Sequence, residues 1–382
     1  MRDANPIVGK IARVEPALDK PPVEVLAGSD EGLTFEFADG RRARLDRTDE
    51  RAVPLAGLLE DFRRRGRPLY VEVDPVTERI ARVRLPIVGR VAAVRSTGDG
   101  DLEIDIPPSH ARHVLRRDHP NFDASAELLR SAIAGRRPVL LTENDNHELL
   151  DLRWYPDPEE VPPFPKPGLP PKWWRRWPWE RWPWRWYLDL WELIQKLLSW
   201  WLSAVPQTVA DDMFALANGL SCQPQNPSAP CITFLFPDDG CYARAHEMCR
   251  LMGIQGVPCR KVFNYGSLYV QTKNHPNCHV SWGYHVAPTV RVRQAFLTVQ
   301  EQVIDPALFG GPVPTATWRA IQTDLNSSLV GTDASVYYRS PNGTTVMYDA
   351  SYVDTNQTLQ DFRDALALRS IQDGPPPYAA CP

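Results

Sequence analysis

The stretch Phe236-Pro237-Asp238-Asp239-Gly240-Cys241-Tyr242-Ala243-Arg244-Ala245-His246 decides the fold of the second half of this 382-residue chain. A proline and a glycine that interrupt helices, together with two aspartates that cap them, precede Cys241, so we expect a helix to begin at about Cys241. One apolar stripe at helical spacing follows, and it consists of Ala245, Met248, Cys249 and Met252. Because unpaired N–H groups and the helix dipole favour a thiolate at a helix N-terminus, Cys241 is a candidate nucleophile that still needs a basic partner.

The basic partner of Cys241 must come from elsewhere in the chain. His246 lies five positions along the helix and about 140° around it from Cys241, so we interpret it as structural. Two predicted neighbouring strands carry His285 and Asp305, which would supply the base and the orienting carboxylate of an acyl-transfer enzyme. Taken alone, each is better explained as a core histidine or a turn aspartate. The strands are Val280–Ala287 and Val299–Pro306.

From about Ser203 to Pro382 the sequence is similar to the bacterial protein-glutaminase family. The matching motifs occur in the family's order and are Ser221-Cys222, Pro230-Cys231-Ile232-Thr233-Phe234, Asp239–His246, Met248, Ser281–Ala287, Ile304–Phe309 and Val336–Pro341. This chain departs from the family in two places. One member has a second cysteine where His279 stands, and Cys249 is an addition here.

The resemblance implies an α+β fold like that of papain and the transglutaminases, with a Cys-His-Asp triad. These roles carry over to Cys241 as nucleophile, His285 as base and Asp305 as orienting carboxylate. The implied activity is hydrolysis of glutamine side chains in proteins or peptides to glutamate and ammonia through a thioester. No cofactor and no metal is expected.

Aromatic residues near the proposed site are candidates for flanking an extended substrate chain. They are Trp282, Tyr284, Tyr337 and Tyr338. Three other functions stay open: a transglutaminase, in which a lysine amine replaces water; a thiol protease; and a catalytically idle adhesion or membrane-lytic protein. The first two would use the same triad.

Composition and cysteine content limit the classes to which this protein can belong. A net charge of −4 argues against nucleic acid as the main partner. Beside Cys241, six cysteines remain, a number that fits three disulfides in a secreted or exported enzyme, although free thiols in a cytosolic protein stay open. No secretory signal peptide is recognisable in this sequence. We prefer the pairs Cys222–Cys231 and Cys259–Cys278.

The region before the catalytic domain contains an apparent internal duplication. Pro6–Val14 recurs as Pro86–Val94, and Pro68–Pro86 aligns with Pro138–Pro156 without a gap. Each unit predicts strands, a helix and a hairpin, with the helices at about 55–65 and 125–134. We find no metal cluster or nucleophile–base pair in either unit. Three histidines of the second unit are interpreted as surface residues, and these are His110, His113 and His119.

A proline-rich run and ten tryptophans interleaved with Arg and Lys separate these units from the enzyme. Apolar residues at helical spacing predict an amphipathic helix over about 187–204, too polar to span a bilayer. The tryptophans suit a membrane surface, a pro-segment packed on the enzyme, or an interdomain core. Because family members are made with a removable pro-region, we expect Trp173–Trp201 to mask the catalytic cleft of a zymogen.

We therefore expect a papain- or transglutaminase-like cysteine hydrolase domain of α+β class, preceded by a duplicated small α+β region. The predicted boundaries are 1–85 and 86–156 for the two units, 157–204 for the Pro/Trp-rich linker and 205–382 for the catalytic domain. The expected partners are protein substrates and the chain's own N-terminal or linker region.

Overall fold

The structure is a computed structural model that describes residues 6–161, 201, 204–295 and 298–382. Most of the Pro/Trp-rich segment lies outside the described residues. Its predicted extended half, its amphipathic helix and its contact with a membrane surface or with the cleft therefore stay predictions.

The first N-terminal unit is a five-stranded antiparallel sheet covered by a helix. Its strand order is β3-β2-β1-β4-β5. Leu55, Leu59 and Phe62 recur at helical spacing and are buried, which gives the longer helix the apolar face that packs against the sheet. The elements are β1 (Ile7–Glu15), α1 (Pro22–Ala27), β2 (Leu33–Phe37), β3 (Arg42–Leu45), α2 (Ala52–Arg64), β4 (Pro68–Val73) and β5 (Ile80–Arg84).

The second N-terminal unit contains one helix and two three-stranded sheets, ordered β7-β8-β9 and β11-β10-β6. The predicted helix and final hairpin are both present. The elements are β6 (Ile87–Gly89), β7 (Ala93–Ser96), β8 (Leu102–Asp105), β9 (His113–Leu115), α3 (Phe122–Gly135), β10 (Val139–Glu143) and β11 (Leu149–Trp154).

The two units share two strand pairings: the hairpin of β4 and β5 recurs as that of β10 and β11, and in each unit the first strand pairs with the first strand of that hairpin. In the first unit Ile7 pairs with Val71, and in the second Ile87 pairs with Leu141. These are positions that the internal sequence alignment matches. The remaining strands differ, because the first unit forms one sheet and the second forms two.

The catalytic region places one long helix against an antiparallel sheet of order β15-β14-β13-β12-β16. Its core contains buried residues of the long helix and of the two central strands. The elements are α4 (Gln207–Gly219), α5 (Cys241–Ile254), β12 (Arg260–Gln271), β13 (His279–Arg293), β14 (Val299–Val303), β15 (Val313–Pro314), α6 (Thr315–Ala320), β16 (Ser328–Asp333), β17 (Val336–Arg339), β18 (Val346–Tyr348) and α7 (Val353–Asp373).

Two sequence-based expectations about these elements need correction. The helix begins at Cys241 as predicted, but neither Asp238 nor Asp239 caps it, because Gly240 is the N-cap residue and no side chain makes a capping hydrogen bond to the helix. The strand that carries His285 is longer than predicted and runs to Arg293. Pairing with β14 from Thr289 onward holds Arg291 and Arg293 in the strand rather than in a loop.

The described cysteines form three disulfides, and one predicted pair is wrong. Cys222–Cys231 is present, whereas Cys259 pairs with Cys249 and Cys278 with Cys381. Cys259 and Cys278 cannot meet because they precede opposite ends of the β12–β13 hairpin: Arg260 pairs with Thr289, but Gln271 pairs with His279.

The N-terminal region contacts the catalytic region through α7. Arg65 and Arg67 both donate to Asp364 on this helix, at 2.8 and 2.6 Å. Arg82 donates to Asp373 at 2.8 Å near its end. Among the helices that the structure describes, none is both long and apolar enough to cross a membrane.

Candidate active site

The backbone turn before α5 can be made only with a glycine at position 240. Gly240 has a φ of +82°, and a Cβ atom there would lie 2.5 Å from the Phe362 ring. This turn places Cys241 at the first position of the helix. Cys241 is 1 % exposed and is the free cysteine among the described residues.

The two aspartates before the helix hold neighbouring segments in place. Asp238 accepts from Arg369 at 2.9 Å and lies 3.4 Å from His275. Burial alone would raise the pKa of Asp238, but Arg369 and His275 outweigh it and hold that pKa well below its usual range. Asp239 accepts from the backbone N–H of Gly240 at 2.6 Å and has its pKa raised by burial.

His285 and Asp305 form the predicted pair. The imidazole Nε2 of His285 lies 2.9 Å from Asp305 Oδ2, which also accepts from Trp318 Nε1 at 2.8 Å. The His285 ring stacks on the rings of Trp282 and Trp318, with ring centroids 4.5 Å and 5.4 Å away. In the neutral ring, Nε2–H donates to the Asp305 carboxylate, so Nδ1 presents its lone pair.

The nucleophile and the base meet across the helix–sheet contact. Cys241 Sγ and a ring nitrogen of His285 lie within 4.8 Å of each other. The structure therefore brings Cys241, His285 and Asp305 together. A thiol, an imidazole and a carboxylate in this order can perform acyl transfer.

A loop of the second N-terminal unit fills the cleft over these residues. The backbone of His110 accepts from Gly283 at 2.9 Å, and Ala111 pairs with Trp282 in an antiparallel bridge. His110 also donates its backbone N–H to Asp239 at 3.1 Å. Pro108 accepts from the hydroxyl of Tyr284 at 2.5 Å. The loop thus adds a short strand to the free edge of β13.

The His110 ring reaches His285, the candidate base. It stacks on Trp282 at 5.3 Å and on His285 at 5.9 Å. Its Nδ1 lies 3.0 Å from the carbonyl oxygen of Tyr284. His110 is 1 % exposed, and burial, followed by the charge of His285, lowers its pKa well below the usual range.

Burial by the loop changes the expected state of the nucleophile. The pKa of the Cys241 thiol is raised well above its usual value by burial, which outweighs the opposing charge of Arg244. The helix N-terminus alone predicts a stabilised thiolate. With the cleft covered, the neutral thiol is favoured instead.

The four aromatic residues predicted to flank the substrate are all buried, and they do not form one continuous surface. Trp282 and Tyr284 contact the catalytic histidine or the covering loop, and Tyr338 packs on Tyr284 at 5.7 Å. Tyr337 packs edge-on against Tyr242 in the core. Their proposed role in substrate binding stays a prediction.

His246 is structural, as predicted. Its Nε2 donates to the carbonyl of Asp349 at 3.1 Å, and its Nδ1 accepts from Lys261 at 2.7 Å. Burial, followed by the charge of Lys261, lowers its pKa to about 4. The neutral ring therefore serves the core network rather than Cys241.

The interpretation of three histidines as surface residues is wrong for His110 and His113, which are 1 % and 0 % exposed. Residues that are distant in the sequence also come together in groups of possible metal ligands, while the expectation that no metal is bound stays a prediction. Among the described residues, two groups have ligand atoms close enough to hold a metal ion: His110, Cys241 and His285, and His113, Glu143 and His147.

Sequence reasoning did not identify three residues that shape the site. Arg244 follows Cys241 by one helical turn and could have been found from that spacing. Trp318 comes from a short helix after Asp305, and no local pattern marks it. His110 enters from a separate unit, so no motif near Cys241 points to it.

Comparisons with known proteins agree with this geometry. A family model described as "Glutaminase" matches residues 210–322. The structure is similar to that of a mutant pro-protein-glutaminase, with 26% identity, a TM-score of 0.51, and coverage of 72% of this chain and 91% of that one. The NMR structure of protein-glutaminase from Chryseobacterium proteolyticum shares 37% identity, covering 42% of this chain and 89% of that one, with a TM-score of 0.38. No curated protein matches the chain.

Proposed function

Because this chain belongs to the protein-glutaminase family, we propose that Cys241, His285 and Asp305 hydrolyse the side-chain amide of glutamine in proteins. The observation that carries this proposal is the approach of Cys241 Sγ to an imidazole nitrogen whose ring is held by a carboxylate. The products are protein-bound glutamate and ammonia.

The reaction follows from the protons that these groups hold. Once the cleft opens, His285 Nδ1 takes the thiol proton, and the Cys241 thiolate attacks the amide carbon of glutamine. Protonated His285 then gives its proton to the departing ammonia, which leaves a thioester on Cys241. His285 activates a water molecule to release glutamate, and Asp305 keeps the ring in the required tautomer throughout.

The oxyanion of the tetrahedral intermediate needs donors that are in place before the reaction. Backbone N–H groups in the first turn of α5 point toward the site, and the helix dipole adds a favourable field. The N–H of Cys241 is our first candidate. A substrate chain would take the β13 edge that the His110 loop occupies, because both are extended segments that bond to backbone groups there.

The full chain is a masked precursor. The matching pro-form structure supports this statement, and the covering loop suggests how the mask works. The loop occupies the substrate edge of β13, and its burial of Cys241 favours the unreactive thiol. Tethering raises the effective concentration of the loop, so a weak contact is enough to keep the cleft closed.

The remaining organisation is our proposal. The catalytic domain spans 205–382 and its helix-on-sheet site suits a papain-like fold. Units 1–85 and 86–156 derive from a duplication, supported by the matching pairs Ile7–Val71 and Ile87–Leu141. The segment 157–204 links them to the enzyme. Three disulfides among the described residues favour an exported protein.

Mass analysis of casein treated with the activated enzyme tests the reaction. A large excess of a primary amine is included. We expect glutamine residues converted to glutamate, with few amine adducts and an intact backbone, because water resolves the thioester. Dominant amine incorporation would instead identify a transglutaminase, and backbone cleavage a thiol protease. The comparisons favour neither alternative. The Cys241→Ala variant provides the blank.

A further inference from the structure

Three groups with free electron pairs converge at the covered cleft. His110 Nδ1 faces the carbonyl oxygen of Tyr284 at 3.0 Å, so Nδ1 carries the ring proton and Nε2 does not. His285 Nε2–H donates to Asp305, so in the neutral ring Nδ1 is unprotonated. Both His110 Nε2 and His285 Nδ1 are buried without a hydrogen-bond partner. Cys241 Sγ is the third group, and one ring nitrogen of each histidine and this sulfur lie within 4.8 Å of one another.

Two unprotonated imidazole nitrogens and a thiol form the donor set that zinc prefers. Zinc binds Cys sulfur at about 2.3 Å and His nitrogen at about 2.0–2.1 Å in tetrahedral geometry, which brings ligand atoms to about 3.3–3.6 Å from one another. The separations between the three ligand atoms would therefore need to shorten by at most about 1.2–1.5 Å. A fourth position would remain for water, as in other three-ligand sites.

The charges around this space also favour a cation. Asp239 Oδ1 lies 3.3 Å from His110 Nε2, and Asp305 lies behind His285. A carboxylate facing an unprotonated nitrogen is an unfavourable contact that a nearby cation would relieve. A divalent ion with one thiolate and these two carboxylates would give the buried site no excess positive charge.

We propose that the precursor binds one zinc-class divalent cation between Cys241 Sγ, His285 Nδ1 and His110 Nε2. This inference rests on the proposed function of the site, which it extends from a masked enzyme to a metal-locked one. The cation ties the N-terminal loop to the nucleophile and the base. On binding, the Cys241 thiol releases its proton to solvent as the metal–sulfur bond forms, and no electron is transferred.

The bound metal would block both the nucleophile and the base until the N-terminal region is removed. While the metal is bound, Cys241 has no free electron pair aimed at a substrate and His285 cannot accept a proton. Removal of the N-terminal region takes away His110 and leaves two protein ligands, which are too few for a structural zinc site. Maturation thus releases the metal and the cleft together.

Cobalt titration of the full-length chain tests the proposal, because thiolate-bound Co²⁺ has a near-ultraviolet charge-transfer band. We expect one equivalent of Co²⁺ to give this band and Zn²⁺ to remove it by displacement. The band should be lost in Cys241→Ser. In His110→Ala the affinity should fall about 100-fold or more, since even groups outside the ligand set are worth about 10–100-fold.

His119→Ala is the matched control. His119 belongs to the same unit, but its ring nitrogens bond to the backbone of Leu150 and Asn121 and not to the proposed ligands. It should keep the band. His110→Gln is measured beside His110→Ala, and thermal unfolding identifies which variants are folded. Cobalt bound by His113, Glu143 and His147 would give no thiolate band, so the second cluster does not confuse the result.

A folded full-length chain without the band at saturating Co²⁺ would overturn the proposal. So would a band of unchanged affinity in folded His110→Ala or His110→Gln. The titration needs no substrate, and it is therefore independent of turnover. An active deamidase without the band would contradict only the metal site, and a chain with the band but no deamidation would contradict only the proposed function.

Discussion

The reactivity of Cys241 is set by groups that act in opposite directions. Burial under the His110 loop raises its pKa, while Arg244 and the backbone N–H of Val286 lower it. We expect removal of the loop to reduce this burial and to leave Arg244, Val286 and the helix dipole in place. The same residue should then be inert in the precursor and reactive after activation.

Substitutions in the triad should rank by role. We expect Cys241→Ala and His285→Ala to abolish ammonia release from a protein substrate, since each removes a reacting group. Asp305→Asn should lower kcat by about 10²–10⁴-fold, because it costs the ring tautomer and orientation but leaves the nucleophile and base. Ammonia release by the activated enzyme is the measurement.

His246→Ala is the control for the triad series. It should retain turnover where it folds, because His246 bonds to Asp349 and Lys261 and not to Cys241. A folded but inactive His246→Ala, together with an active His285→Ala, would show that the base is misassigned.

Arg244 should lower the pKa of the activated thiol. We expect Arg244→Gln to move the onset of Cys241 alkylation to higher pH, since the guanidinium charge favours the thiolate. Arg244 also donates to the carbonyls of Phe236 and Asp239, so Arg244→Lys, which keeps the charge, is the matched variant. An unchanged alkylation profile in Arg244→Gln would mean that the charge has no influence on the nucleophile.

At the scale of elements, the turn into α5 combines a left-handed residue with close packing. We expect Gly240→Ala to destabilise the protein by about 1–3 kcal/mol, because φ is positive and the new Cβ meets Phe362. Gly253→Ala, in the same helix and with open space around it, should be neutral or stabilising by about 0.5–1 kcal/mol. Thermal unfolding of both variants measures the difference. Equal effects would contradict the strain at Gly240.

The elements that the sequence predicts well are those specified by local chemistry. The start of α5 is marked by Pro237 and Gly240, and the N-terminal helices and hairpins are marked by periodicity and turns. The aspartate cap of α5 and the disulfide Cys259–Cys278 were mispredicted, because the true partners of these residues are distant in the sequence. Asp238 bonds to Arg369 instead of to the helix, and Cys278 pairs with Cys381 near the chain end.

The candidate site divides in the same way. Cys241, His285 and Asp305 were predicted from the family resemblance, because His285 and Asp305 taken alone are better explained as structural residues. The loop with His110 could not be identified, since its place depends on how a separate unit docks on β13. The expected mask, Trp173–Trp201, lies largely outside the described residues. Trp201 itself contacts Arg293, and Arg293 is eight residues along β13 from His285.

At the scale of the whole molecule, two groups of contacts stand out among those that hold the N-terminal region on the enzyme. One joins the first unit to α7 through Arg65, Arg67 and Arg82. The other is the His110 loop, which a buried cluster supports: Ser109 bonds to His113 at 2.9 Å, and His113 bonds to Glu143 at 2.6 Å. The two contacts lie on different units, so the mask depends on the docking of the entire region.

The buried cluster also includes His147, and the charge of His147 gives this docking a pH dependence. Burial would lower the pKa of His147, but Glu143 and, across the interface, Asp238 and Asp239 raise it to about 9. Its stabilising charge is therefore fully present below about pH 6.5 and is lost as the pH rises through about 9. We expect the Tm of the full chain to fall between pH 7 and 10.

His147→Gln should lose this part of the pH dependence, because its side chain carries no charge at either pH. His119→Ala should fall in Tm like the unmodified chain, since His119 is outside the cluster. Parallel Tm curves for the unmodified chain and His147→Gln would contradict a charged His147 at the interface.

The central claim is that this chain is a protein glutaminase masked by its own N-terminal region. The most direct measurement compares ammonia release from casein before and after cleavage at a protease site inserted between residues 161 and 204. We predict low release from the uncut chain, at least about tenfold more after cutting, since about 1.4 kcal/mol of masking already gives that factor, and none from cut Cys241→Ala. Equal rates before and after cutting, or no ammonia from the cut chain, would contradict the claim.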